Sequence, residues 1–166
     1  MSYDVEKDWI TKSGFRAVVI KTDMGHRCGY VGVDSTNPFY GKGYDESLEI
    51  IPSQEETSLG RKSPILAITA YDFESDRVKT SLGVAIDVHG GLTYSSSKSD
   101  YPIQSNLHWF GFDCAHYNDL PDEEHQDTFY QLLCKDGAVH RTLDFCTKEC
   151  ESMASQLKEL SDGNYH

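Results

Sequence analysis

An amphipathic pattern near the end of the chain limits the folds available to this sequence more than any other feature. Between Thr142 and Ser161, apolar side chains recur at alternating spacings of three and four residues, and charged side chains occupy other positions. This pattern predicts one helix with a single apolar face. Such a face needs another layer to cover it, and the strand-like segments upstream supply one. We therefore predict an α+β fold, a single two-layer domain in which a mainly antiparallel sheet is packed by a C-terminal amphipathic helix.

Five short segments before this helix are rich in β-branched or aromatic residues and are bounded by turn-forming residues, which predicts strands. They are Phe15–Lys21, Arg27–Val33, Ile65–Tyr71, Ser81–Asp87 and Leu107–Asp113. The turn Asp23–His26 joins the first two strands into a hairpin, so an antiparallel sheet is expected. Two largely polar segments, 38–62 and 119–140, are predicted to be loop or lid insertions in one domain that spans 1–166.

The acidic balance of the chain argues against one class of partner. The 166 residues include 15 basic and 27 acidic side chains, and the formal net charge is −12. Such a surface repels a phosphate backbone, so nucleic-acid binding is not expected. A local group of cations can still form a positive pocket for a small anion, and the candidates are Arg16, Lys21, His26 and Arg27.

The sequence has no apolar run near the roughly twenty residues that span a bilayer, and its first residues lack a signal-peptide pattern. A cytoplasmic protein without a membrane partner is therefore expected. The five cysteines are odd in number and lack both the spacing of a disulfide scaffold and the CxxC pairs of structural zinc sites. We expect reduced thiols, with Cys146 and Cys150 in the core on the apolar face of the helix. If the protein is an enzyme that uses thiol chemistry, Cys28 or Cys114 would be the nucleophile.

The densest group of functional residue types lies in Val88–Ser95 (VHGGLTYS). It combines a histidine, two glycines that allow close backbone approach, and three hydroxyl groups. Other polar groups stand at the ends of predicted strands, and an antiparallel sheet can bring such ends together on one rim. We predict a ligand pocket formed by His26, Arg27, His89, Gly90, Gly91, Thr93, Tyr94, Trp109, Asp113 and His116.

As a binding site, this pocket would hold phosphate with His89 and Arg27, and Arg141 is the alternative cation. The two glycines would give close backbone approach, and an aromatic base would stack on Tyr94 or Trp109. Binding without turnover is the preferred interpretation, because no nucleophile or metal motif is complete.

As an active site, the pocket would use His89 and His116 as general base and acid, with Asp113 orienting one imidazole. No cofactor is predicted. A divalent metal held by the histidines together with Asp87, Asp113 or Asp119 is an alternative, although the sequence has no motif of the HExxH kind. The sequence does not decide whether the protein is an enzyme.

Several blocks of the sequence resemble a widespread family of small proteins found largely in bacteriophage and prophage genomes. The blocks are Gly25–Val33 (GHRCGYVGV), Asn37–Lys42 (NPFYGK), Val88–Ser95 (VHGGLTYS), Trp109–His116 (WFGFDCAH), Arg141–Asp144 (RTLD) and Glu149–Glu151 (ECE). Small phage proteins with a polar, aromatic-rimmed pocket are similar to the sponges and cleaving enzymes that disarm nucleotide-based bacterial immunity, such as the Thoeris and CBASS systems.

The resemblance implies a phage accessory protein in the cytoplasm of the infected bacterial host. It would bind and sequester a small nucleotide-derived immune signal, either a cyclic nucleotide or an ADP-ribose derivative. Two alternatives remain: a hydrolase that cleaves such a nucleotide by histidine acid–base chemistry, with or without a metal, and an acidic protein that inhibits a host factor. A homo-oligomer is compatible with each of these. The segment Leu120–Val139 is expected to vary among relatives, and it would then influence ligand choice.

Overall fold

The computed structural model describes residues 2–50, 71–72, 77–116, 118–122 and 137–162. Within these ranges the strands are β1 (Tyr3–Ile10), β2 (Arg16–Thr22), β3 (Arg27–Val33), β4 (Leu48–Ile50), β5 (Tyr71–Asp72), β6 (Arg77–Thr80), β7 (Tyr94–Ser96), β8 (His108–Asp113), β9 (Asp119–Leu120) and β10 (Val139–His140). The helices in the same ranges are α1 (Leu82–Ala85) and α2 (Leu143–Asp162).

The main sheet has five strands in the order β1-β2-β3-β8-β7, and every neighbouring pair is antiparallel. The hairpin between β2 and β3 forms where the sequence predicts it. Two smaller sheets accompany the main one: an antiparallel set in the order β4-β6-β5, and a parallel pair of β9 with β10. The predicted α+β fold with a mainly antiparallel sheet is confirmed.

Helix α2 packs against β2 and β3 and covers one face of the main sheet. Its apolar stripe is buried from Cys146 to Leu160, as predicted for Cys146 and Cys150, and Leu143 at its start is half-buried. The sheet residues that meet this stripe alternate along each strand, because successive side chains point to opposite faces. The approach is close at Gly29, where an added Cβ atom would lie 2.8 Å from the Cys150 sulfur and 2.6 Å from the Cζ atom of Phe112.

The opposite face of the sheet carries a second, smaller apolar cluster built around Val18, Ile20, Tyr30 and Trp109. Side chains from the segment between β7 and β8, including Tyr101, pack against it. Both faces of the sheet are therefore covered near its centre.

One predicted strand is wrong. Within Ser81–Asp87 the chain forms α1, where the backbone N–H of Ala85 donates to the Ser81 carbonyl at 2.9 Å and that of Ile86 to the Leu82 carbonyl at 2.9 Å. The buried residues Leu82, Ala85 and Ile86 are three and four positions apart, which places them on one side of a helical turn. A short apolar run fits either structure, and here the helical turn packs in the core.

Two strands of the main sheet were not predicted. Strand β1 lies at the edge of the sheet, and half of its residues are charged. This composition resembles that of a loop, but charged residues are also typical of sheet edges that are protected from pairing with another chain. Strand β7 covers only Tyr94–Ser96. Most of the predicted strand 65–71, and residues 51–62 and 123–136 of the two predicted insertions, lie outside the described residues.

The four cysteines among the described residues are free, in agreement with the predicted reduced thiols. The Sγ atoms of Cys114 and Cys146 lie 3.6 Å apart in the core. None of the helices in the described part of the chain is long and apolar enough to cross a membrane.

Candidate functional site

A completely buried carboxylate, Asp119 at the start of β9, lies at the centre of the candidate site. The His89 imidazole donates from Nε2 to its two oxygens, at 3.0 and 2.9 Å. Arg141 donates from Nε to Oδ1 at 2.8 Å. His116 donates to Oδ2 from its backbone N–H at 3.1 Å and from Nδ1 at 3.2 Å. One carboxylate thus fixes two imidazoles and a guanidinium, which we call the Asp119 cluster.

The Asp119 carboxyl group is ionised in this environment. Burial by itself raises the pKa of Asp119, but the hydrogen bonds from His89, Arg141 and the His116 backbone together outweigh it, so the pKa lies below its ordinary value. A buried carboxylate with several charge-assisted donors holds its partners in one geometry. The two imidazole rings consequently sit edge to face, with their centroids 5.4 Å apart and their planes at 85°.

The turn after α1 positions His89. Val88 and Leu92, on either side of the turn, are buried, and the backbone N–H of Gly91 donates to the Val88 carbonyl at 2.8 Å. Gly90 and Gly91 both have positive φ, at 68° and 80°, a conformation that glycine adopts without steric cost. The absence of a Cβ atom at Gly90 also leaves room for the His116 ring.

The tight connection between β8 and β9 positions His116. The Asp113 carboxylate at the end of β8 accepts from the Ala115 backbone N–H at 3.0 Å and from the Thr93 hydroxyl at 3.0 Å. The backbone N–H of Asp119 in turn donates to the His116 carbonyl at 2.9 Å. The His116 imidazole is 33 % exposed, so it forms the open side of the cluster, while His89 is 14 % exposed.

The parallel pair of β9 and β10 brings Arg141 to the cluster, since Arg141 directly follows β10. Helix α2 then closes one wall. Its Phe145 ring lies 5.3 Å from the His89 ring and 4.8 Å from the Arg141 guanidinium carbon, a cation–π geometry. One turn further along α2, burial raises the pKa of Glu149, and the charge and backbone N–H of His89 offset this only in part.

The structure brings together His89, Gly90 and His116, and it places Asp113 beside them. The Asp113 Oδ1 atom is 3.9 Å from His116 Nδ1, a longer separation than the 3.2 Å between that nitrogen and Asp119. The orienting role that the sequence suggests for Asp113 therefore belongs to Asp119. Thr93 reaches the site only through its hydrogen bond to Asp113.

Arg27 is not positioned to bind phosphate as the sequence predicts, because its guanidinium is engaged by acceptors within the protein. Its guanidinium donates to both carboxylate oxygens of Glu6, at 2.7 and 3.1 Å, to Asp122 at 2.9 Å, and to the Arg141 carbonyl at 3.2 Å. Each of its nitrogens therefore has an acceptor within the protein. The arginine at the cluster is Arg141, and Arg27 instead ties β3 to the neighbouring segments.

The other cations of the predicted positive pocket also meet acidic partners. Arg16 pairs with Asp8 at 2.8 Å, and Lys21 pairs with Asp122 at 3.0 Å. Their charges are largely compensated locally, so the predicted group of free cations does not form.

Two further predicted site residues take part in other contacts. His26 donates from Nδ1 to the Cys114 carbonyl at 2.8 Å. Trp109 is fully buried, and its indole N–H donates to the Ser105 hydroxyl at 3.0 Å.

Tyr94 packs edge to face on Tyr30, with the ring centroids 5.4 Å apart, and its buried hydroxyl has no hydrogen-bond partner. It lines an open cleft of about 810 Å³ with Tyr101 and the segment 98–100.

Sequence reasoning left Asp119 out of the predicted pocket and gave Arg141 only as the alternative to Arg27. Asp119 was considered only as one metal-ligand alternative among several acidic residues. A usable signal was present, because His116 and Asp119 are three positions apart, a spacing that lets both side chains serve one site. No spacing in the sequence marks Arg141, because it reaches Asp119 through the pairing of β9 with β10, two strands of two residues each.

Comparisons with protein-family models, with curated protein sequences and with solved structures give no match to this chain.

Proposed function

We propose that this protein binds and sequesters a small phosphate-bearing molecule at the Asp119 cluster, with a nucleotide-derived immune signal as the ligand class. The observation that carries the proposal is the buried Asp119 carboxylate, which holds His89, His116 and Arg141 in fixed positions. Donors that are ordered before binding lose little entropy when a ligand arrives, so such a site favours tight binding.

Three features support an anionic ligand. Histidine and arginine are donors that suit phosphate oxygens, and each imidazole uses one nitrogen on Asp119 and has no described partner at the other. The open space above Gly91 allows close approach of a ligand to the backbone. The open side at His116 provides access for a molecule from solvent.

A separate cleft, on the face of the main sheet opposite α2, carries aromatic rings. The cleft beside Tyr94 and Tyr101 has aromatic walls and polar residues, among them Lys98 and Asp100. Base stacking on such rings is favourable for any nucleobase, because every base has a π face. The ligand class comes from the resemblance, and a panel of nucleotides tests it directly.

Hydrolysis of the same class of ligand is a second candidate, favoured by the contact between His89 and Asp119. A carboxylate that accepts from one imidazole nitrogen fixes the tautomer and leaves the other nitrogen as a proton acceptor, which is the arrangement of a general base. In this candidate the nearby His116 would act as the acid.

One experiment separates the two candidates. Purified protein is incubated with cyclic dinucleotides and with cyclic and linear ADP-ribose derivatives, then heated, and the released small molecules are analysed by chromatography. Recovery of intact ligand only after denaturation supports sequestration, and conversion by substoichiometric protein supports hydrolysis. If no member of the panel is retained or converted, both candidates are wrong.

Two variants sharpen this test. The variant His116→Ala should lose retention of the ligand, and Arg16→Gln, which removes an exposed cation elsewhere, should keep it. An acidic inhibitor of a host protein would act through its surface, so inhibition that survives His116→Ala and His89→Ala would favour that alternative instead.

A further inference from the structure

The nitrogen and oxygen atoms of the Asp119 cluster have the arrangement of a metal site. His89 Nε2, His116 Nδ1 and an Asp119 carboxylate oxygen all lie within 4.8 Å of one another. Two of the separations are 2.9 Å and 3.2 Å, both to Asp119 Oδ2. In a tetrahedral zinc site, bonds of about 2.0–2.2 Å place neighbouring ligand atoms about 3.4 Å apart. A small outward movement of the two rings would therefore accommodate an ion.

We propose that His89, His116 and Asp119 bind a divalent transition-metal ion through His89 Nε2, His116 Nδ1 and Asp119 Oδ2. Three protein ligands with a fourth position open to solvent are the usual set in a zinc site that also binds a small molecule. The ion takes the place of the protons that the two nitrogens donate to the carboxylate: an imidazolium releases this proton to solvent, and a neutral imidazole moves it to its other ring nitrogen. The remaining ring nitrogens then carry the imidazole protons.

The surroundings of the three ligands support this assignment. Arg141 donates to Asp119 Oδ1 and leaves Oδ2 directed at both imidazoles, as a group that orients a metal ligand does. Burial of Asp119 prevents its carboxylate from turning towards solvent. Gly90 gives the His116 ring its place in the site.

The donor set selects the class of metal. Imidazole nitrogens suit zinc, iron, nickel and copper, whereas calcium and magnesium prefer sites built from oxygen. We therefore expect Zn²⁺ to bind and Mg²⁺ to leave the site unoccupied at equal concentration.

The metal would also add positive charge beside two further acidic groups. The Asp113 carboxylate lies 3.9 Å from His116 Nδ1, and Glu149 interacts electrostatically with His89. A divalent ion adds the charge that a phosphate oxygen needs at the fourth position. This last step rests on the proposed function, but the metal site itself does not.

The test is titration of the purified chain, first treated with EDTA and then freed of chelator, with Zn²⁺ alone in a calorimeter. We expect one ion per chain and at least a tenfold loss of affinity in His116→Ala. The matched control is His140→Ala, because His140 is also a partly exposed histidine beside a carboxylate, Asp122. This control should bind zinc as the unaltered protein does.

Cobalt(II) provides a second measurement that does not depend on folding stability. Substitution by Co²⁺ should give the visible bands of a four- or five-coordinate ion, without the near-ultraviolet band of a thiolate ligand. Circular dichroism checks that both variants are folded.

The proposal is overturned if the unaltered protein binds no zinc, if folded His116→Ala binds it with full affinity, or if the cobalt spectrum shows thiolate ligation. Repeating the nucleotide panel with and without Zn²⁺ separates the two ideas. Zinc binding without any nucleotide retention supports the metal site and contradicts the proposed function. Nucleotide retention by a protein that binds no zinc supports the proposed function and contradicts the metal site.

Discussion

The space that a side chain at Gly90 would need is occupied by the imidazole of His116. An ideal Cβ atom at this position would collide with the ring, whereas a Cβ atom at Gly91 would meet nothing within 4 Å. Both glycines have positive φ, so a substitution at either has a similar conformational cost. A comparison of substitutions at Gly90 and Gly91 therefore distinguishes steric displacement of His116 from backbone strain.

We predict that Gly90→Ala displaces His116 and abolishes binding of the zinc probe, while Gly91→Ala retains it. Each variant should lose about 1–2 kcal/mol of stability from the positive φ. Zinc calorimetry and thermal unfolding of both variants check this. Equal zinc affinity in Gly90→Ala and Gly91→Ala would show that the position of His116 does not govern the site.

Arg141 is expected to stabilise the fold through Asp119. The variant Arg141→Gln removes a charged donor from a completely buried carboxylate, which should cost about 2–4 kcal/mol. The control Arg16→Gln breaks an ion pair with Asp8 whose side chains are both 36 % exposed, and should cost less than about 1 kcal/mol. Urea unfolding of the two variants measures the difference, and similar midpoints would contradict the assigned role of Asp119.

Stability should fall in acid because of Asp122. Burial raises the pKa of Asp122, but hydrogen bonds from Lys21, Arg27 and His140 lower it more, so its folded pKa lies well below the ordinary value of 3.8. A lowered carboxyl pKa contributes stability above the ordinary value, and this contribution is lost as the pH falls from there through the folded pKa.

Thermal melts between pH 2 and pH 7 should therefore show a decline below about pH 4. The variant Asp122→Asn should be less stable at pH 7 and should show a shallower decline. An unchanged slope in this variant would mean that other carboxyl groups dominate the acid response.

The contact between the sheet and α2 predicts a large effect at Gly29. A methyl group there would press on the Phe112 ring and the Cys150 sulfur, both buried and without room to retreat. We expect Gly29→Ala to lose about 2–3 kcal/mol, as overpacked cores do. Chemical denaturation measures this, and a loss below about 0.5 kcal/mol would mean that α2 can shift away from the sheet.

The elements that could be predicted from sequence are those with long or strongly apolar patterns. Helix α2 was predicted within one residue at each end, because five turns of regular spacing average out local exceptions. Strands β2, β3 and β8 followed from β-branched and aromatic runs. Strand β1 could not be recognised because its charged residues serve an exposed sheet edge, and α1 could not be distinguished from a strand over so short a run.

The site was predicted in part for a similar reason. The rule that residues at strand ends share a rim predicted His89 beside His116, and the two rings do lie together, although His89 follows a helical turn and not a strand. It could not identify which acidic residue joins them, because Asp119 is distinguished by burial and not by its local sequence. Arg27 was mistaken for a ligand residue because its carboxylate partners are distant in the sequence.

The residues of the Asp119 cluster come from separate parts of the chain, between His89 and Arg141. In an unfolded chain these side chains are far apart, so an ion or anion that contacts several of them acts as a reversible cross-link over a loop of about thirty to fifty residues. The free energy of such binding adds directly to that of folding. The melting temperature of this protein should therefore report how much ligand its surroundings contain.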